Sequence, residues 1–254
     1  MPQAAKSAVV GTTPQGAPDE RAAAATVREM FTAIAPRYDL LNHVLSLNVD
    51  RLWWRRTARV FAHVLARPEA RVLDLCCGTG DMALALRRQA GSTRPSILGV
   101  DFSHAMLQRA HSKFAGRNAT ALEADALQLP IADQSFDLVV TSFGFRNLAN
   151  YDAGLCEIHR VLAEGGEVGI LDFSEPRGWI GAFYSLYFRH VLPQVGTLIS
   201  GVRGPYQYLP ASVAKFPEPE DMLARMRAAG FSDVSWTPYT FGVAGLFRGT
   251  KQHR

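Results

Sequence analysis

Residues 72–81, which read Val-Leu-Asp-Leu-Cys-Cys-Gly-Thr-Gly-Asp, constrain the fold of this chain more than any other segment. Three of the first four residues are apolar, which is typical of a short buried strand. Glycines after such a strand permit positive φ angles and let a ligand approach the backbone closely. The next residues have helical periodicity, so the amides of a helix N-terminus should point at the same turn. The segment therefore predicts a strand, a tight turn and a helix that together bind a nucleotide-like ligand.

The sequence from residue 71 onward alternates between strand and helix patterns, which is typical of a doubly wound, mostly parallel α/β sheet. The last two predicted strands are close in sequence and are joined by a turn. Strands are predicted at 71–75, 96–100, 119–123, 136–142, 167–173, 232–237 and 242–248, and helices at 81–89, 103–114, 151–162 and 218–229.

Two amphipathic helices are predicted ahead of this alternation. The first begins near Thr26, which can cap it, and Pro36 should end or bend it. The second runs over 50–65 with Asp50 as its cap. It has one apolar face and one basic face. The apolar face consists of Trp53, Thr57, Val60, Phe61 and Val64, and the basic face of Arg51, Arg55 and Arg59.

The chain has 254 residues, a length that suits one α/β domain with additions. Residues 1–25 are rich in alanine, glycine and proline and lack the pattern of a signal peptide, so we expect a flexible tail there. Residues 26–254 are predicted to form a single domain. Its N-terminal helices occupy 26–66, and an apolar insertion after the fifth strand, at 177–216, is expected to cover the substrate.

The three cysteines indicate neither a disulfide nor a metal site. Cys76 and Cys77 are neighbours, which cannot easily satisfy disulfide geometry with each other, and Cys156 is distant in sequence. No cysteine or histidine cluster has metal-ligand spacing. We therefore expect a reduced, cytoplasmic protein without a metal. The net charge of +4 is too small to indicate nucleic acid, and no RNA-binding signature accompanies it.

The glycine pattern of the turn bears on the choice of ligand. A dinucleotide site needs Gly-x-Gly-x-x-Gly, but here Gly78-Thr79-Gly80 is followed by Asp81-Met82-Ala83. An acid at the start of the helix would oppose a pyrophosphate. It suits a cofactor without phosphate that carries an ammonium and a sulfonium, a description that fits S-adenosylmethionine.

Carboxylates follow the next two strands at positions that suit the rest of such a cofactor. Asp101 comes roughly 20 residues after the turn and can accept hydrogen bonds from ribose hydroxyls. The alternative role for Asp101, a helix N-cap, can be filled by Ser103. Asp125 can accept from the exocyclic amine of adenine, with the Ala126 amide nearby. Taken alone, Asp125 would be interpreted as a solvated loop acid.

The segment 142–147, Ser-Phe-Gly-Phe-Arg-Asn, follows the fourth strand. Ligands of open α/β sheets lie at the carboxyl ends of the strands, so Arg146 and Asn147 are expected to face the transferred group. A helix-capping loop with an exposed arginine is the alternative interpretation.

Four segments together resemble the ubiquinone/menaquinone biosynthesis C-methyltransferase family. They are 34–42 (Ile-Ala-Pro-Arg-Tyr-Asp-Leu-Leu-Asn), 74–81, 142–147 and 206–212 (Tyr-Gln-Tyr-Leu-Pro-Ala-Ser), and the likeness extends over 27–251. The resemblance implies a class I methyltransferase fold with a seven-stranded sheet. It also implies methylation of a ring carbon of a polyprenylated hydroquinone, either demethylmenaquinol or a ubiquinone precursor, with S-adenosylmethionine as the methyl donor.

The chemistry of methyl transfer suggests roles for individual residues. A phenol ionises rarely at neutral pH and a guanidinium stabilises a phenolate, so Arg146 is assigned that role. Asn147 would orient the ring oxygen or a water, and Tyr38 and Tyr208 are weaker candidates for lining the head-group site. No residue stands out as the general base. The cofactor-binding residues predicted from the motifs and the resemblance together are Asp74, Gly78, Thr79, Gly80, Asp101, Phe102, Asp125, Ala126 and Ser142.

The chain departs from the family pattern in two places, both of which concern the identity of the quinone head group. Residues 201–205 replace an acidic run, and residues 241–247 lack the usual histidine. The acceptor is expected to be the menaquinone precursor.

A polyprenyl tail needs an apolar environment. The aromatic segment 178–200 can form a tunnel, contact the inner face of the cell membrane, or pack as a lid or a dimer helix. Arg51, Arg55 and Arg59 can meet anionic lipid or can simply be solvated. A homodimer is a further alternative that the sequence leaves open.

Proteins with other functions would have some of the same sequence features. A methyltransferase of a soluble molecule, sterol or acyl chain would have the same cofactor motifs, but it would not need 142–147 and 206–212 in this form. A nicotinamide-dependent oxidoreductase is disfavoured by the missing third glycine and by Asp81. A binding module without activity would be expected to lose Asp101 or a glycine of the turn, and this chain keeps both.

Overall fold

A seven-stranded sheet is the framework of the computed structural model, which describes residues 10–12, 14, 17–46, 48–176 and 204–252. The strand order is β3-β2-β1-β4-β5-β7-β6, and β7 alone runs antiparallel to its neighbours. The predicted doubly wound, mostly parallel sheet is thus confirmed. The strands are β1 Arg71–Leu75, β2 Ser96–Asp101, β3 Ala119–Glu123, β4 Phe136–Ser142, β5 Leu162–Phe173, β6 Phe231–Tyr239 and β7 Ala244–Lys251.

Helices cover both faces of this sheet, as the alternating pattern requires. Short 3₁₀ turns at Ala35–Arg37, Phe145–Asn147 and Thr240–Gly242 join some of the elements. The α-helices of the described ranges are α1 Glu20–Ile34, α2 Tyr38–Leu45, α3 Val49–Val60, α4 Ala62–Leu65, α5 Asp81–Gln89, α6 His104–Phe114, α7 Tyr151–Val161, α8 Gly204–Lys215 and α9 Pro219–Ala228.

The central strands are buried on both faces, which is why they read as continuous apolar runs. Val72 and Leu73 are adjacent on β1 and fully buried, yet they belong to different apolar clusters because successive strand side chains point to opposite faces. Val72 packs in the cluster with Phe61 of the N-terminal region. Leu73 packs in the cluster with Leu155 of α7. The sheet therefore separates two cores.

The first helix begins earlier than the sequence pattern predicts. Asp19 is its N-cap, and the Oδ1 atom of Asp19 accepts a hydrogen bond from the Ala22 amide at 2.8 Å. Thr26 lies inside the helix, where its hydroxyl donates to the Ala22 carbonyl at 2.9 Å. Residues 20–25, predicted to belong to a tail, are therefore helical.

The second predicted helix is broken in two. Phe61 has a φ of −98° and a ψ of 19°, so α3 ends before it and α4 starts after it. Asp50 is not the cap of α3. It is buried, its Oδ2 lies 2.8 Å from His43 Nδ1, and Asn48, with a φ of 61°, occupies the N-cap position. The predicted faces are correct, since Trp53 and Phe61 are buried and the three arginines are exposed.

Two elements near the predicted substrate site were not expected from the sequence. Helix α1 ends at Ile34, as predicted from Pro36, but the chain continues through a 3₁₀ turn into α2, a helix that the sequence did not indicate. The segment that contains Tyr208 forms α8, with Pro210 inside it. The predicted aromatic insertion at 178–200 lies outside the described residues.

The cysteines of the structure, Cys76, Cys77 and Cys156, are all free. Within the described ranges, no three His, Cys, Asp or Glu side chains are grouped so that they could hold a metal ion. No helix in those same ranges is both long and apolar enough to cross a membrane.

A close contact between Gly169 of β5 and the ring of Phe61 fixes the N-terminal helices on the sheet. A Cβ atom at residue 169 would lie 2.6 Å from the Phe61 ring. We predict that Gly169→Ala lowers the free energy of unfolding by about 1–3 kcal/mol because the core is overpacked. Urea unfolding measures the change, and the double variant Gly169→Ala/Phe61→Leu should recover part of the loss. Strictly additive effects of the two substitutions would contradict this contact.

Candidate active site

A cleft opens at the carboxyl ends of β1, β2 and β4, where the strand order reverses between β1 and β4. It encloses about 720 Å³ of empty space, part of it open to solvent. Strand-end residues and residues of the N-terminal helices line it together. The predicted residues in the lining are Gly78, Asp101, Phe102, Asp125, Ala126, Ser142, Asn147 and Tyr38; the sequence did not indicate others, among them Ala24, Phe31, Cys76, Met106 and Leu127.

The two glycines of the turn have different roles. Both have left-handed backbones, with a φ of 54° at Gly78 and 88° at Gly80. Gly78 lines the cleft, and a Cβ atom there would lie 3.7 Å from the Tyr38 ring. A Cβ atom at Gly80 would lie 2.5 Å from the Phe114 ring of α6. Gly80 therefore allows close packing behind the turn and does not line the cleft.

Asp101 joins the end of β2 to the glycine-rich turn. Its Oδ2 accepts from the Gly78 amide and its Oδ1 from the Ser103 amide, both at 2.9 Å. Burial raises the pKa of this carboxyl to about 6. Asp101 lines the cleft and accepts from the amide of Ser103, which is the N-cap of α6, so Asp101 is not itself the cap of that helix. The Ser103 side chain makes no cap bond.

Asp74 supports the turn from below and does not line the cleft. It is fully buried, and its Oδ2 accepts from the Ala83 amide of α5 at 2.8 Å. Its Oδ1 is buried without a partner among the described residues. Burial, together with the charges of Asp101 and Asp81, raises the pKa of Asp74 to about 8.

Thr79 lies in a polar network outside the cleft. Its hydroxyl donates to Asp39 Oδ1 at 2.5 Å and accepts from Lys113 Nζ at 3.0 Å. The same Lys113 ammonium lies 2.8 Å from Asp39 Oδ2 and 2.9 Å from Asp81 Oδ1. The sequence indicated neither Lys113 nor the role of Asp39, because three distant segments meet here.

This network corrects the prediction that Asp81 repels a pyrophosphate. The Asp81 carboxylate is paired with Lys113, so its charge does not act alone on the ligand. Two other acidic residues, Asp101 and Asp125, line the cleft itself. Burial raises the pKa of the Cys76 thiol, and the charges of Asp101, Asp74 and Asp125 raise it further. The floor of the cleft therefore has a negative potential that favours a cationic ligand.

Arg146 is buried behind the wall of the cleft. Its Nη1 donates to Asp172 Oδ1 at 2.8 Å and to the Phe143 carbonyl, and its amide donates to Asp172 Oδ2 at 3.0 Å. The guanidinium carbon lies 5.1 Å from the centre of the Phe173 ring. Arg146 is absent from the cleft lining, so the prediction that it directly faces the transferred group is wrong. The exposed arginine of the alternative interpretation is wrong as well, since the ion pair with buried Asp172 holds the side chain inside.

Asn147 and Tyr208, two residues predicted for the substrate site, are hydrogen-bonded to each other; Asn147 lines the cleft, and Tyr208 is absent from its lining. The Tyr208 hydroxyl donates to Asn147 Oδ1 at 3.1 Å and lies 2.6 Å from the Thr12 hydroxyl. Burial raises the pKa of Tyr208, and it raises that of Tyr38 to about 12. Both tyrosines are thus protonated at neutral pH and can donate hydrogen bonds. Thr12 lies in the predicted tail, and no feature of the sequence marked it.

Comparison with solved structures supports the fold. The structure superposes on a SAM-dependent methyltransferase of Thermotoga maritima with a TM-score of 0.61 and 20% sequence identity, and the match covers 88% of this chain and 99% of the other. Similarity at this level of identity concerns the arrangement of the elements and leaves the reaction open.

Comparison of sequences identifies the family. The chain is 49% identical to a demethylmenaquinone methyltransferase of Deinococcus radiodurans over 89% of this chain and 92% of that protein. It is 47% identical to a protein of the same name from Thermus thermophilus over 87% of this chain and all of the relative. A family model matches residues 19–251. As its motifs predicted, the chain belongs to the ubiE/COQ5 methyltransferase family.

Proposed function

We propose that this protein methylates a ring carbon of demethylmenaquinol with S-adenosylmethionine as the donor, a step of respiratory quinone biosynthesis. One observation carries the proposal. The cleft has acidic side chains, Asp101 and Asp125, at its floor, and it has the Ser142 hydroxyl and the Asn147 amide at one wall. Two relatives, at 49% and 47% identity, are named for demethylmenaquinone, which favours menaquinone over ubiquinone.

The residues of the cleft fit this cofactor. S-adenosylmethionine supplies an electrophilic methyl group on a positively charged sulfur. Asp101 lines the cleft and has a raised pKa, so its carboxylate gains from a cation nearby. Asp101 would also accept from ribose hydroxyls. Asp125 and Ala126, which lie together in the lining, would hold the adenine edge.

The acceptor would lie against Asn147 and Tyr208. A hydroquinone carbon becomes nucleophilic when its neighbouring hydroxyl loses a proton, and a phenol with a pKa near 10 does so rarely at neutral pH. The Asn147 amide, whose Oδ1 accepts the hydrogen bond from Tyr208, can donate a hydrogen bond to the resulting oxygen and stabilise it. Phe31 and Phe143 line the same cleft and provide apolar contacts for the ring.

Arg146 would act as a positioning residue and as a source of positive potential. Its guanidinium donates hydrogen bonds to the Phe143 carbonyl and to the Asp172 carboxylate. These bonds fix the position of the loop that carries Asn147. Its charge also favours the ionised forms of Tyr38 and Tyr208, so the same field should favour a phenolate held beside them.

Asp101→Asn tests the cofactor site. Because the raised pKa of Asp101 is about 6, the affinity for S-adenosylmethionine should increase as the pH rises through that value and the carboxylate forms. In the variant, we expect binding at pH 8 to weaken by about 10- to 100-fold and the pH dependence to flatten. Calorimetry at pH 5 and 8 provides the measurement, with exposed Asp233→Asn as the control. Tight, equally pH-dependent binding by Asp101→Asn would remove this residue from the site.

Tyr208→Phe tests the acceptor site. Loss of the hydroxyl should lower kcat/KM for the quinol by about tenfold or more, because the hydrogen bond that orients Asn147 is lost, and should leave the Kd for S-adenosylmethionine unchanged. Tyr151→Phe is a matched control, since that hydroxyl bonds the Arg146 carbonyl away from the cleft. A similar loss in both variants would mean that Tyr208 has only a structural role.

Arg146 requires a paired substitution, because its removal alone would leave Asp172 as a buried unpaired charge and cost about 3–5 kcal/mol of stability. The double variant Arg146→Met/Asp172→Asn removes both charges. We expect it to fold and to bind S-adenosylmethionine normally, but with a kcat lower by about 100-fold and a pH–rate profile shifted to higher pH. An unchanged kcat and pH profile in a folded double variant would show that the Arg146 charge is not used.

A further inference from the structure

Large apolar side chains are exposed at three places in the described part of the chain, and all three lie on helix α3 or beside it. Leu52, on α3 itself, is 57% exposed. Leu40, on α2, is 55% exposed, and Phe241, between β6 and β7, is 79% exposed. Isolated exposed leucines are ordinary on protein surfaces. Three such residues around one helix point to a shared surface.

Leu40 is held beside the start of α3 by a hydrogen bond. It lies three residues before His43 on α2, so the two side chains are neighbours along the helix. His43 Nδ1 lies 2.8 Å from Oδ2 of Asp50 in the first turn of α3. The exposed leucine is therefore adjacent to the N-terminal end of that helix.

Phe241 is held against the other side of α3. Its neighbour Thr240 accepts a hydrogen bond from Trp53 Nε1 at 2.8 Å. Phe241 itself has a φ of 58°, a left-handed conformation that is unfavourable for a bulky residue. The chain thus tolerates backbone strain where it places an aromatic ring in solvent, and strain of this kind clusters at functional positions.

The outer face of α3 carries four arginines around Leu52. At about 100° per residue, Arg51, Arg55, Arg56 and Arg59 flank that leucine on the exposed arc of the helix. Among the residues that the structure describes, no carboxylate forms an ion pair with any of these four guanidinium groups. The surface therefore combines exposed apolar groups with uncompensated positive charge.

The inner face of the same helix contacts the wall of the cleft. Trp54 Nε1 donates to Ser142 Oγ at 2.8 Å, and the Trp53 ring centre lies 5.7 Å from that of Phe143. Ser142 and Phe143 both line the cleft, as does Tyr38 on α2. The exposed surface and the candidate site are thus opposite sides of one layer of helices.

We propose that the surface formed by Leu40, Leu52, Phe241 and the four arginines of α3 binds an anionic lipid bilayer. The arginines would meet lipid phosphates, and the three apolar side chains would enter the interface. The role of this surface rests on the proposed function: an acceptor with a polyprenyl tail is dissolved in a bilayer, so the protein must meet the bilayer to reach it. A nucleic acid would use the arginines but would leave Leu40 and Leu52 without a role.

Co-sedimentation of the full chain with vesicles tests this surface. The chain should bind vesicles of equal parts phosphatidylglycerol and phosphatidylcholine and should not bind vesicles of phosphatidylcholine alone. Arg51→Gln/Arg55→Gln should weaken binding by about 30-fold, at about fivefold per charge. Phe241→Asn should weaken it by about tenfold or more, and asparagine tolerates the left-handed backbone.

Arg94→Gln/Arg117→Gln is the matched control, with the same change of charge at exposed positions just before β2 and β3, at the opposite edge of the sheet. It should bind vesicles as the unsubstituted chain does. All variants should keep their unfolding temperature and should methylate a short-tailed, water-soluble acceptor at the original rate.

Failure of the unsubstituted chain to bind anionic vesicles would overturn the proposal. So would equal binding by the α3 variants and the control. If single-stranded RNA binds in a way that depends on Arg51 and Arg55 but not on Phe241, the surface is a nucleic-acid site and the proposal is wrong. Vesicle binding that is lost in the α3 variants, in a chain that methylates no quinol, would support the surface and overturn only the proposed function.

Discussion

The hydrogen bonds that two buried carboxylates make to backbone amides determine the shape of the site. Asp74 accepts from the Ala83 amide of α5, and Asp101 accepts from the Gly78 amide of the turn. Together they fasten the helix to β1 and the turn to β2, so that Gly78 faces the cleft. Burial disfavours the charged form of a carboxyl and so raises its pKa, and both Asp74 and Asp101 show this effect. At neutral pH the Asp101 carboxyl is therefore largely ionised and supplies negative potential for a cationic ligand, whereas the Asp74 carboxyl is largely protonated.

At the opposite wall of the cleft, a buried arginine is paired with a buried carboxylate. Arg146 and Asp172 are buried together, and their pairing lets a guanidinium remain close to the substrate wall without solvent. Because Asp172 also accepts from the Arg146 amide, this ion pair fixes the 3₁₀ turn that carries Asn147. In the proposed function, the acidic side chains at the strand ends would face the cationic donor, and Asn147, held by this ion pair, would face the acceptor.

The N-terminal helices connect this site to the surface of the molecule. Tyr38 and Asp39 begin α2, where one lines the cleft and the other pairs with Lys113 and Thr79 beside the turn. Helix α3 backs the cleft wall with Trp53 and Trp54 and presents leucine and arginines on its other face. The same two helices would thus close the site and form the proposed lipid-binding surface.

The sequence alone determined the strand and helix order, the glycine turn and the acidic strand ends, because these depend on local periodicity and backbone conformation. It also located helix α5 at Asp81–Gln89 and the family motifs. Only the tertiary structure decided that Arg146 is paired behind the wall, that Lys113 neutralises Asp81 and that Thr12 reaches Tyr208. Each of these contacts joins residues far apart in the chain. Burial and long-range pairing set the charge and orientation of such groups, and no local pattern encodes either one.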